Sequence, residues 1–144
     1  MADYGIWLKQ LLESPHVTKA TLSACTQEQG AYVLWLDTMP LVCLKVGIAG
    51  PRQGKGLRGR IGLHFSSRGN NNVLARHLEA DARSTWSKTH DFRNREDRQA
   101  FLSRHCYFCV LPLSGLTRAQ LLAFEKYLVQ ELQPIYLGAV GQLR

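Results

Sequence analysis

"KVGIAGPRQGKGLRGRIGLHF", Lys45 to Phe65, is crowded with glycine, lysine and arginine and carries a histidine next to its end. A phosphate-cradling P-loop would demand a sheet of parallel βαβ units around this stretch. That reading fails on spacing: a Walker A loop places four residues between its glycines and follows with Lys and then Ser or Thr. Here Gly50 and Gly54 enclose three residues, and Gly56 follows Lys55 where the magnesium-holding hydroxyl should stand. No strongly apolar parallel-strand pattern follows downstream. The stretch divides instead into the end of a strand, "LVCLKVGIA" (Leu41 to Ala49), a basic glycine-rich loop, and a helix from about Lys55 to Phe65. Leu57, Ile61 and Phe65, at i, i+4 and i+8, mark the buried edge of that helix.

Working outward, "AYVLWLD" (Ala31 to Asp37) reads as a strand joined through the turn "TMP" to Leu41–Ala49, giving a hairpin. Asp3 to Glu13 reads as a short helix with Ile6, Trp7 and Leu11 on one face, stopped by Pro15. Downstream, "SSRGNNN" is a loop, "VLARHLEADA" a short helix, "STWSKTHD" a loop and "FRNREDRQAFLSRH" a helix. A third strand covers Cys106 to Leu113, and a last helix runs from about Arg118 to Leu132, ending before Pro134. The expected fold is α+β, a small three-stranded, mostly antiparallel sheet flanked by helices in a single domain over residues 1–144. Its core spans about 30–137, with a helical insert at about 66–105.

The chain has 144 residues, 45% hydrophobic, and a formal net charge of +7. That length fits one domain, and the charge makes a polyanion the natural partner, nucleic acid ahead of a membrane surface. No apolar run approaches the ~20 residues needed to span a bilayer. "MADYGIWLKQLLESPH" lacks a basic segment followed by an apolar one, so the expected compartment is the cytoplasm. Cys106 and Cys109 form a C-x-x-C beside His105, which raises the possibility of zinc. Strand alternation puts Cys106, Phe108 and Val110 on one side and Tyr107, Cys109 and Leu111 on the other, so the thiols read as packing residues.

The last helix carries a capping box, Thr117 with Gln120, and an apolar stripe of Leu121, Leu122, Leu128, Val129 and Leu132. Glu125 falls within that stripe. A carboxylate there is costly unless paired, hydrogen-bonded or bound to a cation, so it reads as a salt bridge or a cleft-edge position or, more sharply, as a metal ligand or an acid–base group. On the earlier helix Arg60 and His64, four apart, share a face. A guanidinium matches phosphate oxygens bidentately and an imidazole moves protons near neutral pH. Lys45 is the one ammonium in an apolar strand and must either snorkel out or meet an anion.

In order along the chain, "GAYVLWL", "KVGIA", "LRGRIGLHF" and "FEKYLVQELQP" resemble the GIY-YIG nuclease family over most of residues 30–137. Gly30-Ala31-Tyr32 matches the first name motif, and Lys45-Val46-Gly47 sits where the second belongs, as in a branch of the family that reads K-[IV]-G there. Arg60 matches the family's helix arginine, and His64 a position carrying His or Tyr. Glu125 matches the metal-binding glutamate, with Pro134 following. Lys45 replaces the usual tyrosine, and Leu137 stands where many members place asparagine.

The resemblance implies an endonuclease that hydrolyses phosphodiester bonds in nucleic acid, DNA first, with one Mg2+ or Mn2+ on Glu125. Tyr32 or His64 would take the proton of the attacking water. Arg60 and Lys45 would stabilise charge on the phosphate, and Lys45 could also lower the pKa of Tyr32. Arg52, Lys55 and Arg58 become candidate nucleic-acid backbone contacts. In the insert, Arg76, Arg83, Lys88, Arg93, Arg95, Arg98 and Arg104 either extend that surface or, offset by neighbouring acids, form a solvated cover. Two other readings compete: a nucleic-acid-binding module that does not cleave, and a protein-interaction domain on the same scaffold.

Overall fold

The computed structural model describes residues 3–51, 56–66, 74, 77–78, 89–92 and 94–137. Strands β1 (Gly30–Leu36), β2 (Val42–Ala49) and β3 (Cys106–Pro112) form an antiparallel sheet in the order β2-β1-β3. Four helices accompany it among the described residues: α1 (Tyr4–Glu13), α2 (Gly56–Ser66), α3 (Arg95–His105) and α4 (Arg118–Leu132). The fold is α+β, a small sheet flanked by helices, as the hydrophobic pattern implied. The helix expected at 73–82 and the loops on either side of it fall largely outside the described residues.

Local chemistry sets the element ends. Asp3 caps α1 by accepting from the Ile6 N–H, and Asn94 caps α3 by accepting from Asp97. The second cap explains why α3 begins at Arg95 and not at Phe92, whose ring is needed in the core. Thr117 and Gln120 close the expected capping box on α4. Gly56 opens α2 at φ 57°, and a Cβ there would strike the Gln27 and Glu28 carbonyls, so glycine is required.

The sheet is covered on both faces, which is why "GAYVLWL" is apolar throughout. On one face Tyr32, Leu34 and Phe108 pack with Leu57, Ile61 and Phe65 of α2 and with Phe101 and Leu102 of α3. On the other, Ala31, Val33, Val46, Ile48 and Leu111 pack with Leu11 of α1 and with Leu121, Phe124 and Leu128 of α4. Cys106 lies in the first core and Cys109 in the second; both are buried free thiols on opposite faces, as strand alternation required.

Two helix faces differ from expectation. Phe124, not Leu122, fills the α4 stripe, and Leu122 is exposed because the seam turns toward the ring cluster of Tyr4, Trp7 and Tyr127. Ile6 is likewise exposed, and α1 buries Leu11.

Two irregularities position the site. The β1–β2 register shifts between Leu34 and Trp35: Trp35 faces Cys43, while Leu34 faces Lys45. This β-bulge at Leu44 brings Lys45 onto the Tyr32 face, whereas strict alternation from Cys43 would have sent it to the other. Beyond α4, Gln133 takes the left-handed conformation at φ 50° and turns the chain back. Ile135 N–H then donates to Cys43 O at 3.0 Å and Tyr136 N–H to Leu44 O at 2.9 Å, so this segment lies along the outer edge of β2.

Candidate active site

A cavity of about 260 Å3 opens at the β2 edge, between α2, α4 and the returning segment. Tyr32 from β1, Lys45 from β2, Arg60 from α2 and Glu125 from α4 all line it. The fifth expected residue, His64, is attached through Tyr32: its Nε2 lies 3.2 Å from the Tyr32 hydroxyl. These residues are scattered over nearly a hundred positions of sequence, and the fold gathers them at one hollow. Leu137, Pro134, Tyr136 and Arg118 complete much of the wall.

The Tyr32–His64 unit is held rigidly. Tyr32 is opposite Gly47 across the β1–β2 ladder, and its ring lies over that glycine. A Cβ at Gly47 would come within 2.6 Å of Tyr32 Cε1. His64 sits with its ring stacked on Phe108, at a centroid distance of 5.5 Å. The end of α2 that carries it is clamped by α3: Arg98 Nε–H donates to the His64 carbonyl at 2.9 Å, and the Gln99 amide donates to the Phe65 carbonyl at 2.9 Å. These donors satisfy carbonyls that a helix C-terminus would otherwise leave open.

Burial and neighbouring charge set the protonation states. Burial pulls His64 down to about 3, and the positive charges of Lys45, Arg60 and Arg98 add to the effect. The imidazole is therefore neutral at physiological pH. Burial also pushes the Tyr32 hydroxyl well above its ordinary value; Arg60 draws it back and Glu125 raises it further. The free protein holds a neutral phenol, and the charge that acts on it favourably is Arg60, not Lys45. Burial lowers Lys45, while Glu125 favours its charged form. Burial raises Glu125, opposed by Lys45, Arg118 and Arg60.

Glu125 is half-buried and electrostatically coupled to three cations. Yet among the described residues it closes no ion pair; the pair recorded there is Arg95–Glu96 on α3, at 3.9 Å. The salt-bridge reading of this carboxylate therefore does not describe the geometry. Opposite charges face one another across open space, an arrangement that suits a bound ion or ester.

The expected backbone contacts fare differently. Arg52 and Lys55 lie outside the described residues. Arg58 Nε–H donates to the Cys25 carbonyl at 2.7 Å and is absent from the cavity wall. Within the insert, Arg98 is fully buried, so it serves the core and not a surface; Arg95 and Arg104 are exposed. Sequence reasoning missed Arg118 and Tyr136. Arg118 sits at the start of a helix, where a basic residue signals nothing by itself, and Tyr136 reaches the site only through the turn at Gln133.

Among the described residues no helix is long and apolar enough to cross a membrane. Nor do they contain a group of three or more His, Cys, Asp or Glu side chains able to hold a metal ion. Comparison with protein-family models, with curated proteins and with solved structures finds no match to this chain.

Proposed function

We infer that this chain is a metal-assisted endonuclease of the GIY-YIG type, hydrolysing phosphodiester bonds in nucleic acid, with DNA the first substrate to test. The observation that carries this reading is the convergence of Tyr32, Lys45, Arg60 and Glu125 on one cavity, with His64 bonded to the tyrosine. Four separate segments, β1, β2, α2 and α4, each contribute one of these polar side chains to the same cavity wall, which supports the reading. A formal charge of +7 supports a polyanionic partner.

The residues suit particular tasks. Lys45 and Arg60 receive the phosphate and offset the charge that builds on it during attack. The Tyr32 oxygen, reachable from the cavity, accepts a proton from water as the Tyr32 O–H passes its own proton to His64 Nε2. An imidazole lowered to about 3 is a poor acceptor in the free protein. Burial, the main cause of that lowering, persists, but a phosphate beside Lys45 and Arg60 offsets the part those two charges add, so substrate binding raises the basicity of His64.

The donor set also fits a divalent cation, provided it is shared. Glu125 supplies one carboxylate, and magnesium or manganese commonly completes its shell with water and substrate oxygens. Such an ion, when bound, neutralises charge on the phosphate and on the leaving oxygen. Three neighbouring cations oppose its entry, so Glu125 binds it weakly until phosphate is present.

One observation favours a second reading, a nucleic-acid-binding module without catalysis: neither Tyr32 nor His64 is poised as a base in the free protein. Cleavage of plasmid and branched DNA with magnesium or manganese separates the two. The expected result is cutting by wild type and loss of cutting, with binding retained, in Glu125→Ala. Robust cutting by the variant removes Glu125 from the mechanism. Absence of cutting by either protein across a broad substrate panel, with binding intact, favours the module. Failure to bind any nucleic acid at low salt overturns both.

A further inference from the structure

Arg118 is the cation of the cavity wall that the nuclease reading leaves without a task. It lies on α4, seven residues before Glu125, which at a rise of ~1.5 Å per residue separates their backbones by about 10 Å along the helix. Its NH1 donates to the Gly50 carbonyl at 3.0 Å, and Gly50 follows directly on β2. That bond places the guanidinium beside Gly50, five residues past Lys45 along the chain. A guanidinium has five N–H donors, so one bond to a carbonyl does not exhaust it.

Charge points the same way. Lys45, Arg60 and Arg118 set against Glu125 leave an excess of two positive charges on the wall (three minus one). One phosphodiester carries one negative charge and leaves half of that excess uncompensated. A divalent cation on Glu125 only enlarges the surplus. Without the cation, a second phosphate next to the first on the same strand brings the excess on the wall to zero.

We propose that Arg118 binds the phosphate adjacent to the one held by Lys45 and Arg60, so that the cleft takes two successive phosphates of one strand. The assignment rests on the nucleic-acid reading above and deepens it. An internal stretch of backbone becomes the substrate class, and an isolated diester a poor one.

The test uses the full chain and three small probes followed by NMR titration without divalent metal. They are a thymidine dinucleotide with one linkage, the trinucleotide with two, and a trinucleotide with one linkage replaced by neutral methylphosphonate. Arg118→Gln removes the charge and keeps a donor for Gly50; Arg118→Ala repeats the test without it. The second charged linkage is expected to tighten binding to wild type ~10-fold, a coupling in the range found for directly contacting groups, and to change little in either variant. The methylphosphonate trinucleotide is expected to bind wild type like the dinucleotide. An equal gain in wild type and variants, or a gain that survives methylphosphonate, overturns the assignment and leaves the nuclease reading standing. Unchanged spectra of wild type with every probe overturn the nucleic-acid reading itself.

Discussion

Gly47 shows how a single missing methyl shapes this site. The Tyr32 ring occupies the space that any side chain at position 47 would need, and both partners are buried on the first core face. Gly47→Ala is therefore expected to destabilise the fold by ~1–3 kcal/mol through overpacking and to loosen the Tyr32–His64 hydrogen bond. Urea denaturation checks the first effect, and the His64 ring resonances check the second. An unchanged midpoint with unchanged resonances would contradict the packing described.

His64 gives a pH prediction with a definite sign. Its folded pKa is pulled down to about 3 from an ordinary 6.5. Between those values the unfolded chain binds the proton and the folded one does not. Stability from keeping the ring neutral is thus complete above about pH 6.5 and is lost as pH falls toward 3. The slope from this group is about 1.4 kcal/mol per pH unit at most. His64→Gln is expected to flatten the stability–pH profile in that window relative to wild type. Parallel profiles for the two proteins would mean that His64 titrates normally.

At the scale of elements, α2 is intrinsically weak, and its neighbour compensates. Glycines interrupt it at Gly59 and Gly62, each costing roughly 1 kcal/mol against alanine. Among the described residues, a Cβ added at Gly62 meets only Leu22 Cδ2, at 3.8 Å. Gly62→Ala should raise stability by ~0.5–1 kcal/mol in thermal or urea unfolding. Arg98 and Gln99 of α3 supply the opposite test. Arg98→Met removes the donors to the His64 and Phe92 carbonyls, at an expected cost of ~2–4 kcal/mol from the open buried acceptors and the lost packing. The helix before β3 is thus a clamp on the part of α2 that carries the site histidine.

Elements were also where the sequence spoke most and least clearly. β1 to β3, α2 and α4 announced themselves through periodicity, the capping box and the β1–β2 turn, because those signals are local. The bulge at Leu44 is invisible to a period-two count, yet it decides which face Lys45 joins. Phe124 supplanted Leu122 because α1 packs on α4, a contact that no pattern within α4 reveals. Glu125 was legible as a carboxylate out of place, and Arg118 was not, since an arginine on an exposed turn violates no rule.

At the scale of the whole molecule, net charge and cavity charge should separate in salt dependence. For single strands log K falls with log salt at about 0.7 per neutralised phosphate. Arg60→Gln and Arg118→Gln should each reduce the slope by about that amount. Arg58→Gln should leave it unchanged, because that guanidinium lies off the cavity wall, with its Nε–H turned to the Cys25 carbonyl. Equal reductions from all three would indicate diffuse attraction to a basic surface, with no particular cleft.

On the proposed function, Glu125 and its facing cations form one compartment where a strand phosphate and a divalent ion meet. Manganese electron paramagnetic resonance on the full chain, with a cleavage-resistant phosphorothioate oligonucleotide, addresses it most directly. Little bound manganese is expected with protein alone, with a clear gain when the oligonucleotide is added and loss of that gain in Glu125→Ala. Manganese that binds equally with and without the oligonucleotide, or that persists in Glu125→Ala, would contradict it.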